Sequence, residues 1–232
     1  MAAWSNSGMP SRKDVFAQRP LLVNLGSGPT GPESWVNLDR SPTMILRNAP
    51  WAAKLLRRTG VIGEHHLTPW QPHIVRQDLT KPLPFADGTV DAVYSSHFFE
   101  HIYYSDAHAI SRECFRVLKP GGILRLALPD GELWARELVE AGDDEDGEAG
   151  YRYLLRLGSH TLDRPTGKRR LTSKIGGHIH RWQPTRGLIR KMLIEAGFAP
   201  EQISDRKFLE GELPGLEDIE TREESFFTEA RR

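Results

Sequence analysis

The stretch LLVNLGSGPTGPESWVNLD, residues 21–39, constrains the fold of this chain more than any other. Its first apolar run predicts a buried strand of a parallel sheet, because such strands are covered on both faces. Gly26 and Gly28 follow at once, and glycine permits a tight turn and a close approach of the backbone to a ligand. A second apolar segment ends on Asp39, where an open sheet can hold the ribose of a nucleotide. The stretch therefore predicts a nucleoside-cofactor site.

The link between these two predicted strands is short and contains Pro29, Gly31 and Pro32. Parallel strands are usually joined by a crossover helix, and prolines inside so short a segment disfavour one. We therefore expect a tight loop or a single helical turn here.

The rest of the chain alternates between strand and helix patterns, which is typical of the α/β class. Strands are predicted over residues 21–25, 35–39, 73–77, 90–96, 123–128, 203–209 and 225–230, the last two as an antiparallel pair. Helices are predicted over residues 41–58, 106–118, 132–141, 151–157 and 185–196. The KPGG sequence at residues 119–122 predicts a helix end. We expect an N-terminal arm over residues 1–20 and a single domain over residues 21–232, with residues 142–181 as a lid or substrate insertion.

Composition narrows the function classes. Lys plus Arg and Asp plus Glu both number 31, so the formal net charge is zero, whereas a dedicated nucleic-acid binder is usually basic. Cys114 is the only cysteine, which excludes an internal disulfide and a cysteine-rich zinc site. No apolar run reaches the roughly 20 residues of a membrane span, and the polar N-terminus has no signal core. These features predict a cytoplasmic protein that does not act at a membrane.

Later motifs decide which cofactor is expected. The order of LLVNLGSGPTG, WVNLD, VRQDLTKPLPFADGTVDAVYSSHFFEHI, RVLKPGGILRLALPD and LIRKMLIEAGF resembles that of small bacterial class I S-adenosylmethionine-dependent methyltransferases, of the methyltransferase type 11 kind. The resemblance covers residues 21–130 closely and residues 178–230 more loosely. Asn24 departs from it, because the family often has an acid before the glycines. A dehydrogenase, the competing class, is disfavoured because Asp78-Leu79 and the SSHFFEH segment would have no role in it.

The resemblance implies a Rossmann-like, doubly wound sheet of seven strands with an antiparallel last strand pair, and S-adenosylmethionine as the cofactor. Gly26 and Gly28 would lie against its methionine half. Asp39 would bind the two ribose hydroxyls, since a carboxylate offers two acceptor oxygens. Asp78 and Leu79 would contact the adenine. The full set implied for the cofactor is Gly26, Ser27, Gly28, Asp39, Asp78, Leu79 and Ser96.

Groups that could act on the methyl acceptor follow the strand at residues 90–96 or lie in the predicted lid. A hydroxyl acceptor needs a base for its proton, and histidine has a suitable pKa. His97, Glu100 and His101 are spaced as on one helical turn and would share one face of a helix. The GHIH sequence at residues 177–180 would place two imidazoles on one side of an extended segment. The candidate catalytic residues are His97, Glu100, His101, Asp130 and His178, with His180 on the same segment.

The acceptor stays open at this point. A hydroxyl of a sugar, a glycoside or another small polar metabolite is our first choice, as in polysaccharide biosynthesis, and it rests on analogy. RNA or a protein side chain, docked on the basic residues 164–174, is the second choice, although the neutral net charge disfavours nucleic acid. A partner that binds the cofactor without catalysis is the third. A metal site of Asp130, Glu100 and a histidine, holding an ion such as Mg²⁺, and a homodimer are further candidates.

Overall fold

The protein is described by a computed structural model that covers residues 16–17, 19–41, 43–44, 49–58, 68–142, 144–158 and 179–232. The strands are β1 (Leu22–Leu25), β2 (Val36–Asp39), β3 (Val75–Arg76), β4 (Val90–Ser96), β5 (Leu118–Pro129), β6 (Ile203–Arg206) and β7 (Ser225–Arg231). The α-helices are α1 (Pro50–Arg58), α2 (Tyr104–Val117), α3 (Gly131–Glu140), α4 (Glu148–Leu157), α5 (Arg186–Ala196) and α6 (Leu216–Ile219). Within these ranges, no helix combines the length and the apolar character that crossing a bilayer requires.

The strands form one mixed sheet in the order β3-β2-β1-β4-β5-β7-β6. Strands β1 to β5 are parallel to one another, whereas β7 lies antiparallel between β5 and β6. The predicted seven-stranded α/β sheet with antiparallel last strands is therefore confirmed. The strand order reverses between β1 and β4, and open sheets bind ligands at such a point.

One face of the sheet carries the main core beneath α2 and α5. Successive residues of a strand alternate between faces, so Val23 and Leu25 of β1 share this side. Helix α2 buries Ile110 and Cys114 against it, and α5 buries Met192. Burial raises the pKa of the Cys114 thiol, so this cysteine packs as an apolar residue and is not a nucleophile.

The opposite face is covered by residues 207–224, which join β6 to β7. Leu213 and Leu216 of this segment pack into a second apolar cluster with the sheet. Trp35 belongs to the same cluster, and its ring centroid lies 6.3 Å from that of Tyr94. The sheet is thus covered on both faces, although no helix lies between β1 and β2.

A buried asparagine pair shapes the short link between β1 and β2. Asn24 Nδ2 donates to Asn37 Oδ1 at 2.9 Å, across the two paired strands. Asn37 Nδ2 donates in turn to the carbonyls of Pro32 and Trp35, at 2.8 Å each. The predicted tight loop is confirmed, since residues 26–35 are all described and contain turns but no helix. The asparagine amide supplies the hydrogen bonds that these loop carbonyls would otherwise lack.

The structure corrects the helix predicted over residues 41–58. Helix α1 begins at Pro50, because proline lacks the N–H that a longer helix needs and fits the first helical turn. Met44 lies upstream of the helix and is buried in a small separate cluster. The apolar side chains of this segment do not share one buried face, since Trp51 and Leu55 are 71% and 54% exposed.

Two other element boundaries differ from the prediction. Helix α2 ends at Val117, so the helix end predicted from residues 119–122 is confirmed, but these residues already lie inside β5, because the chain passes directly into the strand at Leu118. Gly121, near the start of β5, has a φ of +81°, a conformation that glycine adopts readily. The strand predicted over residues 73–77 is confined to β3, at the edge of the sheet.

Glu113 on α2 holds the turn-rich link between β3 and β4. Its Oε2 accepts from the Leu83 N–H at 2.7 Å, and Arg116 donates to both carboxylate oxygens, at 2.8 and 2.7 Å. The hydrogen bonds from Arg116 lower the pKa of Glu113, and burial only partly opposes them. A carboxyl group with a lowered pKa stabilises the fold fully above its unfolded-state pKa of about 4.3. That stabilisation is lost as the pH falls through the lower folded-state pKa.

Glu113→Gln is therefore expected to lower the free energy of unfolding at neutral pH by about 1–3 kcal/mol, because hydrogen bonds to a charged group are lost. The difference from the wild type should shrink as the pH falls below about 4. Urea unfolding at neutral pH and at about pH 3 measures both effects, with the exposed Glu223→Gln as the control. An equal difference at both pH values would contradict the role assigned to the carboxylate.

Candidate functional site

The candidate site lies at the edge of the sheet where β1, β2 and β4 end. Gly26 and Gly28 follow β1 with φ angles of +70° and +67°, in the left-handed region that favours glycine. The Gly26 N–H donates to the Leu38 carbonyl at 2.9 Å, so the turn folds back onto β2. The predicted glycine turn therefore sits at the reversal of strand order, where open sheets bind ligands.

Asp39 is the last residue of β2, and two backbone groups orient its carboxylate. The Gly28 N–H donates to Oδ2 at 2.9 Å, and the Ser41 N–H donates to Oδ1 at 2.6 Å. Each carboxylate oxygen keeps a further lone pair, and the residue is partly exposed. Asp39 can therefore accept hydrogen bonds from a ligand that carries two adjacent hydroxyls.

Phe98 closes one side of the glycine turn. A Cβ atom at Gly26 would lie 2.5 Å from Cβ and Cγ of Phe98, so only glycine fits beside this side chain. At Gly28, by contrast, no described atom lies within 4 Å of the Cβ position. The turn therefore borders open space on the Gly28 side, where a ligand can approach the backbone.

Asp78 and Leu79 follow β3. Asp78 Oδ1 accepts from the N–H and the hydroxyl of Thr80, at 3.1 and 2.7 Å, and its Oδ2 pairs with Arg40. Burial raises the pKa of Asp78, but the Thr80 hydrogen bonds and the Arg40 guanidinium outweigh it and hold the pKa below its usual value. Leu79 is buried and packs in the main core. The adenine contacts implied for these two residues stay a prediction.

The serines at this edge differ in accessibility. Ser27 lies in the glycine turn, and its hydroxyl donates to the Gly28 carbonyl at 3.1 Å. Ser95 is buried and donates to the Leu25 carbonyl at 3.0 Å, which ties β4 to β1. Ser96 ends β4 and is partly exposed. Ser27 and Ser96 are thus accessible to a ligand, whereas Ser95 has a structural role.

His97 follows β4 in a strained backbone conformation. Its φ is +47°, which is uncommon for a residue other than glycine, and such outliers cluster at functional sites. Its ring Nε2 lies 2.8 Å from Ser225 Oγ, and its Nδ1 lies 3.3 Å from Glu100 Oε1. The imidazole therefore lies between the Ser225 hydroxyl, at hydrogen-bond distance, and the Glu100 carboxylate, which it contacts without a hydrogen bond.

Glu100 lies among three imidazoles. Its side chain is 0% exposed, and neither carboxylate oxygen has a hydrogen-bond partner in the described part of the chain. Besides His97, the Nε2 of His101 lies 3.9 Å from Glu100 Oε1. His180 faces His101 with the ring centroids 5.0 Å apart. The helical spacing of His97, Glu100 and His101 thus predicted a real cluster, and the segment after the lid adds His180.

Backbone and side-chain hydrogen bonds hold the segment after the predicted lid against this cluster. The Arg181 N–H donates to the Glu100 carbonyl at 2.7 Å, and Arg181 Nε donates to the His101 carbonyl at 3.0 Å. Trp182 Nε1 donates to the Ile102 carbonyl at 3.1 Å. These bonds fix the neighbouring residue, His180, beside the cluster.

His180 is half-buried, and its Nδ1 has no hydrogen-bond partner among the described residues. A Cβ atom at Gly158 would lie 2.8 Å from this nitrogen, so the ring packs closely against that glycine. Burial lowers the pKa of His180, and the Glu100 carboxylate opposes this only in part. The imidazole is therefore neutral near pH 7 and carries a lone pair. His178, the other imidazole predicted on this segment, lies outside the described residues.

Asp130 is engaged elsewhere. Its Oδ1 accepts from a backbone N–H in the first turn of α3 at 2.9 Å, and its Oδ2 pairs with Arg186 at 2.8 Å. The described residues that could share one metal ion are Glu100, His101 and His180. The predicted metal grouping through Asp130 is therefore wrong, because that carboxylate already caps a helix and pairs with an arginine. A role for Asp130 in catalysis stays a prediction.

Ser225 and Phe98 are contacts of the site that the sequence-based candidates do not include. Ser225 bonds to His97 from the first residue of β7, near the other end of the chain, so no local pattern marks it. Phe98 lies inside the SSHFFEH segment. An aromatic residue just after this strand is a sequence feature that could have predicted a contact with the glycine turn.

The comparison with known families agrees with this geometry. Residues 25–126 match a family model described as a methyltransferase domain. Over these residues the chain thus matches the methyltransferase family, and the order of its sheet agrees with the resemblance to class I S-adenosylmethionine-dependent methyltransferases of the type 11 kind. No curated protein matches the chain by sequence.

Three solved structures illustrate the likeness. S-adenosylmethionine-dependent methyltransferases from Mesorhizobium loti and Methanosarcina mazei are 18% and 17% identical, each with a TM-score of 0.46. The alignments cover 91% of this chain in both cases, and 90% and 91% of the respective relatives. One from Thermotoga maritima is 16% identical, with a TM-score of 0.45 and coverage of 91% and 81%. Such distant likenesses say nothing about the acceptor of this chain.

The residues at the sheet edge fit S-adenosylmethionine. The turn at Gly26 and Gly28 offers backbone groups beside open space, as an amino-acid moiety requires. The oriented carboxylate of Asp39 suits the two hydroxyls of a ribose, at the strand end where open sheets bind nucleosides. Asp78 supplies a further ionised acceptor after the neighbouring strand.

Proposed function

We propose that this methyltransferase acts on a hydroxyl oxygen of a sugar, a glycoside or another small polar metabolite. The observation that carries the proposal is the position of His97, which follows β4, the strand next to β1, with Nε2 2.8 Å from Ser225 Oγ and Nδ1 3.3 Å from Glu100 Oε1. A hydroxyl must lose its proton as its oxygen attacks, and an amine or a thiol needs less help. An oriented imidazole at this place therefore favours a hydroxyl acceptor.

Each part of the site has a separate task in this proposal. S-adenosylmethionine supplies an electrophilic methyl group on its sulfonium. The glycine turn and Asp39 hold the donor at the sheet edge, so that transfer depends on the alignment of the acceptor oxygen. His97 accepts the hydroxyl proton on Nε2, where the acceptor takes the place of the Ser225 hydroxyl, because Nδ1 faces Glu100. The buried Glu100 carboxylate orients this ring and stabilises the imidazolium that forms.

The surroundings of the cluster support a polar acceptor. The Arg181 guanidinium lies 4.2 Å from the ring centroid of Tyr103, and Tyr103 is 60% exposed. Tyr104 and Trp182 pack edge to face beside them, with centroids 5.3 Å apart. Aromatic faces combined with a few hydrogen-bonding groups are typical of sites that bind small polar molecules.

No described residue favours the alternative of an RNA or protein acceptor. The basic residues Lys168, Arg169 and Arg170, which suggested such a docking surface, lie outside the described part of the chain. The neutral net charge also disfavours a nucleic-acid partner.

The test is a methylation assay with S-adenosylmethionine labelled in its methyl group. Saccharides and glycosides, total RNA, and a protein extract form three separate arms. We expect label in the first arm only. The methyl group of the product should resist mild base, and NMR should show that it is bonded to oxygen. Label confined to RNA or protein would overturn the hydroxyl proposal. Tight binding of S-adenosylhomocysteine without turnover in any arm would favour a partner without catalysis.

A further inference from the structure

The Glu100 carboxylate is the least satisfied polar group of the site. It is fully buried, yet neither of its oxygens has a hydrogen-bond partner in the described part of the chain. An ionised carboxylate buried in this way is costly unless a cation or hydrogen-bond donors compensate it. The groups nearest to it are imidazoles, which are lone-pair donors when neutral. A cation bound among these groups would compensate the buried carboxylate.

We propose that Glu100, His101 and His180 bind a divalent transition-metal ion of the zinc type. Each residue offers one ligand atom, and these atoms all lie within 4.8 Å of one another. Ligands of one tetrahedral zinc ion lie about 3–4 Å apart, given metal–ligand bonds of about 2.0–2.2 Å. Small side-chain rotations are enough to close the remaining difference.

The donor set decides the kind of ion. Mg²⁺ prefers oxygen ligands in an octahedron and keeps several waters, so two imidazoles disfavour it. Zinc and similar ions accept imidazole nitrogen together with carboxylate oxygen. The donor set therefore favours a zinc-type ion over Mg²⁺, which was one candidate from the sequence.

The neighbours of the three ligands support the site. His101 Nδ1 lies 3.3 Å from the Ile179 carbonyl, an arrangement that leaves Nε2 on the Glu100 side. Metal-bound histidines commonly donate their second ring N–H to a carbonyl or carboxylate in this way. Among the described residues, His180 Nδ1 is buried without a hydrogen-bond partner, so its lone pair can bind an ion.

A metal held by three protein ligands keeps a coordination position open. An acceptor hydroxyl bound there would lose its proton more easily, because the ion acts as a Lewis acid. This use of the open position rests on the proposed function, whereas the binding of the ion does not. An experiment can therefore contradict the binding of the ion without contradicting the hydroxyl acceptor, and the reverse.

The test is calorimetric titration of tag-free full-length protein, stripped with a chelator, with Zn²⁺, Co²⁺ and Mg²⁺ in separate runs. We expect one equivalent of Zn²⁺ to bind, and Co²⁺ to bind with a visible spectrum that reports imidazole ligation. Mg²⁺ should bind at least about 100-fold more weakly than Zn²⁺. Glu100→Gln and His180→Ala should each weaken Zn²⁺ by about 100-fold or more.

His108→Ala is the matched control, since this histidine pairs with Glu195 and is not among the three ligands. It should bind Zn²⁺ as the wild type does. Circular dichroism and S-adenosylhomocysteine binding check that every variant is folded. The proposal is overturned if the wild type binds no stoichiometric Zn²⁺, or if folded Glu100→Gln and His180→Ala bind it unchanged. Hydroxyl turnover is not needed for any of these readouts, so a wrong acceptor class leaves the result intact.

Discussion

Replacing Arg125 with methionine is expected to lower the free energy of unfolding by about 3–5 kcal/mol. Arg125 lies on β5, is 0% exposed and pairs with two buried glutamates. Removing its charge takes away the cation that pairs with Glu220 and leaves Glu229 with Arg206 alone, which costs more than the loss of packing.

All five N–H donors of the Arg125 guanidinium are used. Nε and Nη2 donate to Glu220 at 2.7 and 2.8 Å, and Nη1 donates to Glu229 at 3.0 Å. The remaining two donate to the carbonyls of Lys207 and Glu210, at 2.9 Å each. These carbonyls belong to the segment that covers the second face of the sheet. Arg125 therefore anchors the cover that compensates for the missing helix between β1 and β2.

A double-mutant cycle in urea separates this network from simple packing. Glu220→Gln should lower the free energy of unfolding of the wild type. In the Arg125→Met background the same change should lower it less, or even raise it, because it removes an unpaired buried charge. Arg222→Met, at a position that is 53% exposed, is the control and should change stability by less than about 0.5 kcal/mol. Additive effects of Arg125→Met and Glu220→Gln would contradict the proposed coupling.

His97→Asn is expected to lower kcat by about 10²–10⁴-fold with the best acceptor, while the affinity for S-adenosylhomocysteine changes little. Asparagine tolerates the left-handed φ of +47° at this position but cannot take a proton near neutral pH. The comparison therefore removes the base without disturbing the turn after β4. Single-turnover kinetics with saturating cofactor measure the effect.

His108→Asn is the control for that experiment, because it removes an imidazole on α2 that contacts Glu195 and not Glu100. Its kcat should stay within about threefold of the wild type. A His97→Asn enzyme with wild-type kcat would show that another group takes the proton. A variant that loses both cofactor binding and turnover would show instead that His97 supports the turn.

Local sequence patterns predict the cofactor edge well, because its parts are consecutive along the chain. Gly26 and Gly28 directly follow an apolar strand, and Asp39 ends the next one, so strand, turn and acid are all visible in one stretch. The short link was also predictable, since its prolines exclude a helix. The asparagine pair that holds it was not, because Asn24 and Asn37 meet only when β1 and β2 pair.

Contacts between distant segments account for what the sequence does not predict. The cover over the second face depends on Arg125 reaching carbonyls more than 80 residues away, and nothing near Arg125 marks this. The exposure of Trp51 and Leu55 follows from the placement of α1, not from its amphipathic pattern. At the site, the spacing of Glu100 and His101 predicts one cluster, whereas His180 joins it only through the fold of residues 179–182.

The central claim is that the edge formed by the glycine turn and Asp39 binds the nucleoside of a methyl donor. Calorimetry with S-adenosylhomocysteine and with NAD, on the wild type and on Asp39→Ala, tests it most directly. We predict that the wild type binds S-adenosylhomocysteine and not NAD. Asp39→Ala should weaken that binding by about 1–3 kcal/mol. The exposed Asp218→Ala should leave it unchanged. Binding of NAD alone, or an undiminished affinity of folded Asp39→Ala for S-adenosylhomocysteine, would contradict the claim.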